Sequence, residues 1–282
     1  KEMFKDIKQV MKDSVLYGIG NVAVKLVGFI LIPLYTDAEY FSTADYGLMG
    51  LLEVTSQILI AVMGLSLYSG LIRWYWDAEY RDKQKTIFFT TLLFTILTSL
   101  CIGSVLWLNV GELSALLVQQ EGYSLGGELP YILQLLILTS MLGAVVEVPQ
   151  NLLRLQRKPI YYSLTNIVRL FVTLVLTIYF TISLHRGVSG VYEAQLVGIV
   201  IQLLMVLPLV IKNSSCRVDR RCTIQLLAYS YPLVFPAIVG SLLTVFDRYI
   251  INHFQGLDDV GFYSLGYKVG NTLKVFIVTS VQ

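Results

Sequence analysis

The stretch Ile87–Leu108, with the sequence IFFTTLLFTILTSLCIGSVLWL, runs for 22 residues without a charged side chain. An apolar run of this length is what an α-helix needs to cross the hydrocarbon core of a bilayer. A helix pairs its own backbone donors and acceptors, so it can lie in lipid without exposed polar groups. The stretch therefore predicts a membrane-spanning helix.

The rest of the chain repeats this pattern. Of its 282 residues, 55% are hydrophobic and 14% are charged, whereas about a quarter of the residues in a soluble domain are charged. We predict an all-α, polytopic transmembrane bundle of about eight helices. The predicted spans are Ser14–Leu34, Gly47–Leu67, Ile87–Leu108, Pro130–Leu153, Ile160–Leu184, Val188–Ile211, Gln225–Phe246 and Gly261 to the end.

The basic residues predict the orientation of the bundle. Fifteen Lys and Arg residues lie at the N-terminus and in every second connection, and only Arg186 and Arg248 lie in the opposite connections. Connections rich in Lys and Arg stay in the cytoplasm. The charge distribution therefore predicts a cytoplasmic N-terminus.

The first 13 residues carry Lys1, Lys5, Lys8 and Lys12 among apolar residues at helical spacing. This pattern predicts a cytoplasmic helix lying on the membrane surface. A cleaved signal peptide is the alternative. It is disfavoured because the following apolar run is about 20 residues long and no A-x-A site follows it.

A short internal repeat organises the chain. Asp45–Leu51, with the sequence DYGLMGL, resembles Asp259–Leu265, with the sequence DVGFYSL, at an offset of 214 residues. Each copy opens an even-numbered span, so the repeat predicts two parallel lobes of six helices. Residues 14–211 would form the first lobe and residues 212–224 a basic cytoplasmic linker. Residues 225–282 would supply the first two helices of an incomplete second lobe, and we expect the chain to be a fragment or a truncated product.

Four cations lie inside predicted spans, where each would cost about 2.5–3.5 kcal/mol at the centre of a helix facing lipid. We therefore predict that they face a cavity, together with two polar neighbours. The predicted cavity residues are Lys25, Asn21, Arg169, Thr173, Lys268 and Lys274. Two alternatives remain open. Lys25 would extend its ammonium to the membrane surface, or the hydroxyl stripe around Arg169 would only pack helices together.

Acidic residues near the spans have several interpretations. Glu53 and Glu147 are predicted as counter-ions or as proton or cation sites, and Glu147, near the cytoplasmic end of its span, is alternatively just solvated. Asp247 and Arg248 follow the seventh span at its outer mouth. They are predicted to be either an exposed pair or a gate.

Other classes of site have no support in the sequence. Cys101, Cys216 and Cys222 have no metal-ligand spacing and are interpreted as free thiols. His185 and His253 are isolated, and the chain has no nucleotide-binding loop or catalytic motif. A net charge of +2 gives no indication of nucleic-acid binding. We predict no enzymatic activity, no metal and no cofactor.

Five segments carry a resemblance to a known family. They are Val15–Asn21, Phe29–Thr36, Ser42–Gly47, Asp247–Ile251 and Val260–Leu265. In these segments the chain resembles the polysaccharide transporter branch of the multidrug/oligosaccharidyl-lipid/polysaccharide exporter (MOP) superfamily, which includes O-antigen and capsule-repeat flippases. Members of that branch have more helices than the eight predicted here.

The resemblance implies a function for the predicted cavity. It implies alternating access between two lobes and export of a polyprenyl-pyrophosphate-linked oligosaccharide across the bacterial inner membrane. Membrane lipids, and polymerase and chain-length proteins of a polysaccharide pathway, are the implied partners. Two alternatives remain: an ion-coupled multidrug exporter of the same superfamily, and a non-transporting membrane component of a glycan-assembly complex.

Overall fold

The structure is a computed structural model that describes residues 30–117, 127–215 and 217–281. Within these ranges the backbone forms helices and no β-strand. The α-helices are α1 Ile32–Tyr35, α2 Thr43–Gly64, α3 Leu67–Trp74, α4 Gln84–Leu108, α5 Val110–Leu117, α6 Leu129–Leu155, α7 Pro159–Ile178, α8 Gly187–Asn213, α9 Arg220–Phe254 and α10 Leu257–Val281. A 3-10 helix, Ala78–Lys83, precedes α4, and a π-helical turn, Tyr179–Ser183, continues α7.

Among the described residues, six helical segments are long and apolar enough to cross a membrane. They are α2, α4 with its 3-10 helix, α6, α7 with its π turn, α8, and the Arg220–Leu243 part of α9. The predicted class, an all-α polytopic bundle, is confirmed. The first predicted span lies outside the described residues except for its last turn, and the eighth corresponds to α10.

The end of α9 differs from the prediction. This helix continues to Phe254 instead of ending at Phe246, so Asp247 and Arg248 lie within it and not in a connection. Gly256, with a φ of +96°, adopts a left-handed conformation that suits glycine and reverses the chain directly into α10.

Two predicted connections also contain helices. After α2 ends, Leu65 and Ser66 adopt left-handed conformations, and the chain resumes as α3, which buries Leu67 and Leu71. The predicted polar connection Asn109–Leu129 begins with the short helix α5. Apolar residues in these short segments reach the core, so they fold as helices although they are too short to be spans.

Helix α2 lies at the centre of the packing. It begins with a capping box in which Ser42 and Asp45 exchange hydrogen bonds with each other's backbone N–H groups. Its sides contact α6, α9 and α10, and α8 packs between α6 and α7. The hydroxyls of Ser56 and Ser140 lie 2.9 Å apart and join α2 to α6.

The two copies of the repeat pack directly against each other. A Cβ on Gly47 would overlap the carbonyl oxygen of Leu257 and lie 3.0 Å from the backbone nitrogen of Gly261. Reciprocally, a Cβ on Gly261 would lie 2.5 Å from the carbonyl oxygen of Thr43 and 3.3 Å from the nitrogen of Gly47. Because Thr43 and Leu257 are themselves separated by the repeat offset, the contact has approximate twofold symmetry. We call this contact of α2 with α10 the seam.

Candidate functional site

Lys268 lies at the seam, one turn beyond Ser264 on α10. Its Nζ is 5.7 Å from the ring centroid of Tyr35 and 5.8 Å from that of Tyr46. Both distances are within the range of a cation–π interaction. Tyr35 ends α1 and Tyr46 lies in the first turn of α2, so the cation reaches across the seam to rings on the other side.

The two tyrosines are fixed in the core. Tyr35 and Tyr46 are 8% and 6% exposed, and their ring centroids are 6.1 Å apart. Phe41 packs edge-on against Tyr35 at 5.5 Å. Within the described part of the chain, the hydroxyl of Tyr46 has no hydrogen-bond partner. Packing therefore holds the two rings in place within reach of the ammonium of Lys268.

Glu53 faces the same tyrosines from α2. Its carboxylate is within electrostatic reach of the hydroxyls of Tyr35, Tyr46 and Tyr192, and the residue is exposed. Tyr192 also donates a hydrogen bond to the carbonyl of Met49. The structure thus brings two predicted site residues, Glu53 and Lys268, to one group of tyrosines.

Arg248 is buried, with 7% of its surface exposed, so the interpretation as an exposed pair is wrong for this residue. Its Nε donates to the hydroxyl of Ser264 at 3.3 Å, and its guanidinium lies 4.6 Å from the ring centroid of Tyr267. Asp247 accepts a hydrogen bond from Tyr263, and its carboxylate is 3.8 Å from Arg248. Partners on α10 explain why these two charged residues lie within α9. A role as a gate stays a prediction.

Arg169 points away from the lipid-facing side of α7. It is two residues from the exposed Ile167 and from the exposed Phe171, which is a rotation of about 200° around a helix. Its Nη1 donates to Gln202 Oε1 at 3.1 Å, and Gln202 Nε2 donates to Asn166 Oδ1 at 3.0 Å. The exposed apolar stripe of α7 consists of Ile160, Leu164, Ile167, Phe171, Val175 and Ile178.

The hydroxyl residues near Arg169 take part in helix packing. A Cβ on Gly198 of α8 would overlap Oγ1 of Thr173, so this hydroxyl lies directly against the α8 backbone. Thr165 accepts a hydrogen bond from Gln150 of α6 at 2.9 Å. For these two residues the contacts support the packing interpretation, and a direct role of Thr173 in binding stays a prediction.

The remaining predicted residues are less informative. Glu147 is partly buried in α6, within electrostatic reach of Arg154. Lys25, Asn21 and the side chain of Lys274 lie outside the described residues. In the described ranges no group of three His, Cys, Asp or Glu residues could hold a metal ion.

Sequence reasoning did not identify the partners of the cations. Gln202 was visible as a lone amide in an apolar span, which is a usable signal for an interior polar contact. Tyr46 was seen only as part of the repeat. Its pairing with Lys268 depends on how α2 and α10 cross, and no local pattern encodes that crossing.

Comparison of the sequence with known protein families gives a match. Residues 10–282 match the model of a family described as polysaccharide biosynthesis protein. No curated protein matches the chain in sequence.

The fold is similar to solved transporters. The MATE multidrug transporter DinF-BH superposes with a TM-score of 0.76 at 15% identity, over 95% of this chain and 61% of that chain. A MATE in complex with MaL6 superposes with a TM-score of 0.73 at 17% identity, over 96% of this chain and 62% of that chain. The third structure is a MOP superfamily transporter from Pyrococcus furiosus Vc1 (DSM3638), described as having a binding pocket of reverse polarity. It superposes with a TM-score of 0.67 at 17% identity, over 95% of this chain and 61% of that chain. The chain thus spans less than two thirds of these structures, and at such identities the likeness shows the fold alone.

Proposed function

Because this chain belongs to the polysaccharide biosynthesis protein family and has the fold of MOP superfamily transporters, we propose that it moves a polyprenyl-pyrophosphate-linked oligosaccharide across the bacterial plasma membrane. It does so by alternating access, with the N-terminus in the cytoplasm. Residues 14–211 act as one lobe, residues 212–224 link it to the next, and residues 225–282 begin the second lobe.

The observation that carries this proposal is the unbalanced cation Arg169. Its guanidinium faces the protein interior with Gln202 as hydrogen-bond partner, and among the described residues no carboxylate lies within 4.0 Å of it. A guanidinium has five donors and is suited to bidentate binding of phosphate. In a site with little water, an unbalanced cation favours an anionic ligand strongly. A pyrophosphate headgroup supplies that anion.

Lys268 adds a second cation from the other side of the seam. It lies in α10, whereas Arg169 lies in α7, so the two charges belong to the two proposed lobes. A substrate that binds both cations senses the relative position of the lobes. A ligand shifts an equilibrium between two arrangements only if it binds them with different affinity, and cations on both lobes provide such a difference.

The test is flipping of a fluorescent polyprenyl-pyrophosphate glycan by the purified protein in liposomes. We expect Arg169→Ala combined with Lys268→Ala to abolish flipping while insertion is unchanged. Arg81→Ala, which removes a cation from the 3-10 helix outside these sites, is the matched control and should flip at the wild-type rate. Wild-type flipping by the double variant would refute the proposed site.

One observation favours a second candidate, an exporter of cationic drugs. Glu53 is an exposed carboxylate beside Tyr35 and Tyr46, and a carboxylate is a natural counter-ion for an organic cation. Export of a cationic dye that is lost in Glu53→Gln but retained in Arg169→Ala would favour this candidate over glycan flipping.

A further inference from the structure

The ammonium of Lys268 lies near two aromatic rings from the opposite side of the seam. The side chain leaves α10, yet the rings nearest its Nζ are those of Tyr35 and Tyr46. Both rings are buried and packed against each other, whereas a lysine side chain has many rotamers. The two fixed rings therefore favour one position of this ammonium.

The seam connects the position of Lys268 to the contact between α2 and α10. Tyr46 is adjacent to Gly47, and Lys268 is two turns beyond Gly261, the residue against which Gly47 packs. The hydroxyl of Thr55 on α2 also lies 2.7 Å from that of Tyr249 on α9. Separation of α2 from α10 at the glycines would therefore remove Lys268 from the tyrosine rings.

We propose that Tyr35 and Tyr46 are positioning residues that hold Lys268 in the anion site only while the seam is closed. This inference rests on the proposed function. With the seam closed, Lys268 is held beside the tyrosine rings as one cation of the anion site. When the seam opens, Lys268 leaves the rings and the site loses a cation. The affinity for the anion then falls on the side where α2 and α10 begin, which the charge distribution predicts to be outside the cell, and the substrate is released there.

The first experiment measures binding of farnesyl pyrophosphate to the full chain in detergent. Tyr46→Phe keeps the ring and should bind like the wild type, whereas Tyr46→Leu should bind about tenfold more weakly, as should Lys268→Met. The decisive variant is Tyr46→Leu with Lys268→Met. If Tyr46 acts through Lys268, this double variant binds no more weakly than Lys268→Met alone. A further loss, as a general structural defect would produce, overturns the inference.

The second experiment locks the seam. A Cβ on Gly50 would lie 3.0 Å from the Cβ of Ser264, slightly closer than in a disulfide, so a small shift would allow Gly50→Cys and Ser264→Cys to be bridged. In a background without Cys101, Cys216 and Cys222, the oxidised protein should bind farnesyl pyrophosphate fully but flip nothing, and reduction should restore flipping. Flipping by the oxidised protein would overturn the inference.

The outcomes separate this inference from the proposed function. If the wild-type protein does not bind farnesyl pyrophosphate, both are wrong. If it binds the probe and Tyr46→Leu binds equally well, the flippase proposal stands and only the positioning role of Tyr46 is wrong.

Discussion

Gly50 and Ser264 occupy equivalent positions in the two copies of the repeat and face each other across the seam. The repeat offset also relates Gly47 to Gly261, and each of these glycines meets the backbone of the other copy. The absence of side chains lets the two helix backbones approach this closely. The seam is thus built from the same few residues used twice.

The seam glycines should be intolerant of alanine. In Gly47→Ala the new methyl would overlap the carbonyl of Leu257, and in Gly261→Ala it would lie 2.5 Å from the carbonyl of Thr43. Backbone atoms cannot rotate away, so we expect each substitution to lower the free energy of unfolding by about 1–3 kcal/mol. Thermal or denaturant unfolding in detergent measures the change.

The matched control is Gly64→Ala, at the other end of α2. A Cβ at this position would meet nothing within 4 Å. Because alanine favours a helix over glycine by up to about 1 kcal/mol, this variant should be neutral or slightly more stable. Equal destabilisation by Gly47→Ala and Gly64→Ala would contradict the close contact at the seam.

A second prediction concerns the residue that starts α9. The carboxylate of Asp219 accepts a hydrogen bond from Lys83 Nζ at 2.5 Å and others from the N–H groups of Arg221 and Cys222. These partners, Lys83 above all, hold the pKa of Asp219 below its usual value. Its contribution to stability is therefore complete above the unfolded pKa of about 3.9 and is lost as the pH falls through the lower folded value.

Two substitutions distinguish the N-capping role of Asp219 from the effect of its charge. Asp219→Asn keeps a good capping side chain but removes the titrating group, so its unfolding midpoint should fall less than that of the wild type as the pH drops from about 5 to about 2. Asp219→Ala should be less stable than Asp219→Asn at every pH because it also loses the cap. Parallel pH curves for Asp219→Asn and the wild type would contradict the assignment.

Hydropathy predicts most of the helices because lipid requires about twenty apolar residues in a row. The predicted end of the span at Leu108 coincides with the end of α4. The same reasoning fails at the end of α9. There Asp247 and Arg248 resemble a connection, but Tyr263 and Ser264 on α10 give them partners inside the structure.

In the candidate site, local sequence patterns predict the cations but not the residues that contact them. An arginine or lysine within an apolar span is recognisable as a candidate for an interior site because exposing it to lipid is unfavourable, and this reasoning singled out Arg169 and Lys268. Their partners Gln202 and Tyr46 are distant in sequence, and the way the helices cross brings them into contact. A single sequence contains no local signal for that crossing.

The third prediction tests whether Thr173 packs α7 against α8. Gly198→Ala would place a methyl group on Oγ1 of Thr173 and should destabilise the protein by about 1–3 kcal/mol. Adding Thr173→Ala removes that oxygen and should recover most of the loss, which unfolding experiments would measure. If the loss is the same in the Thr173→Ala background, Thr173 is not the packing partner.

The last prediction separates the structural role of Arg169 from its proposed role in binding. Gln202→Leu removes the acceptor at 3.1 Å from the guanidinium and should cost about 1–3 kcal/mol of stability, because a buried donor loses its partner. Arg169→Met combined with Gln202→Leu replaces both groups by apolar ones and should restore part of the lost stability, since Asn166 Oδ1 still lacks the hydrogen bond from Gln202. The double variant should nevertheless flip no lipid-linked glycan, because the cation is gone.

The control for this pair is Gln150→Leu with Thr165→Val, which removes a hydrogen bond of 2.9 Å between α6 and α7 that involves no charge. This variant should keep both stability and flipping. Unfolding experiments and the liposome assay together give the answer. A stable Arg169→Met/Gln202→Leu protein that flips at the wild-type rate would show that Arg169 only joins α7 to α8, and the anion site would then have to be built from other residues.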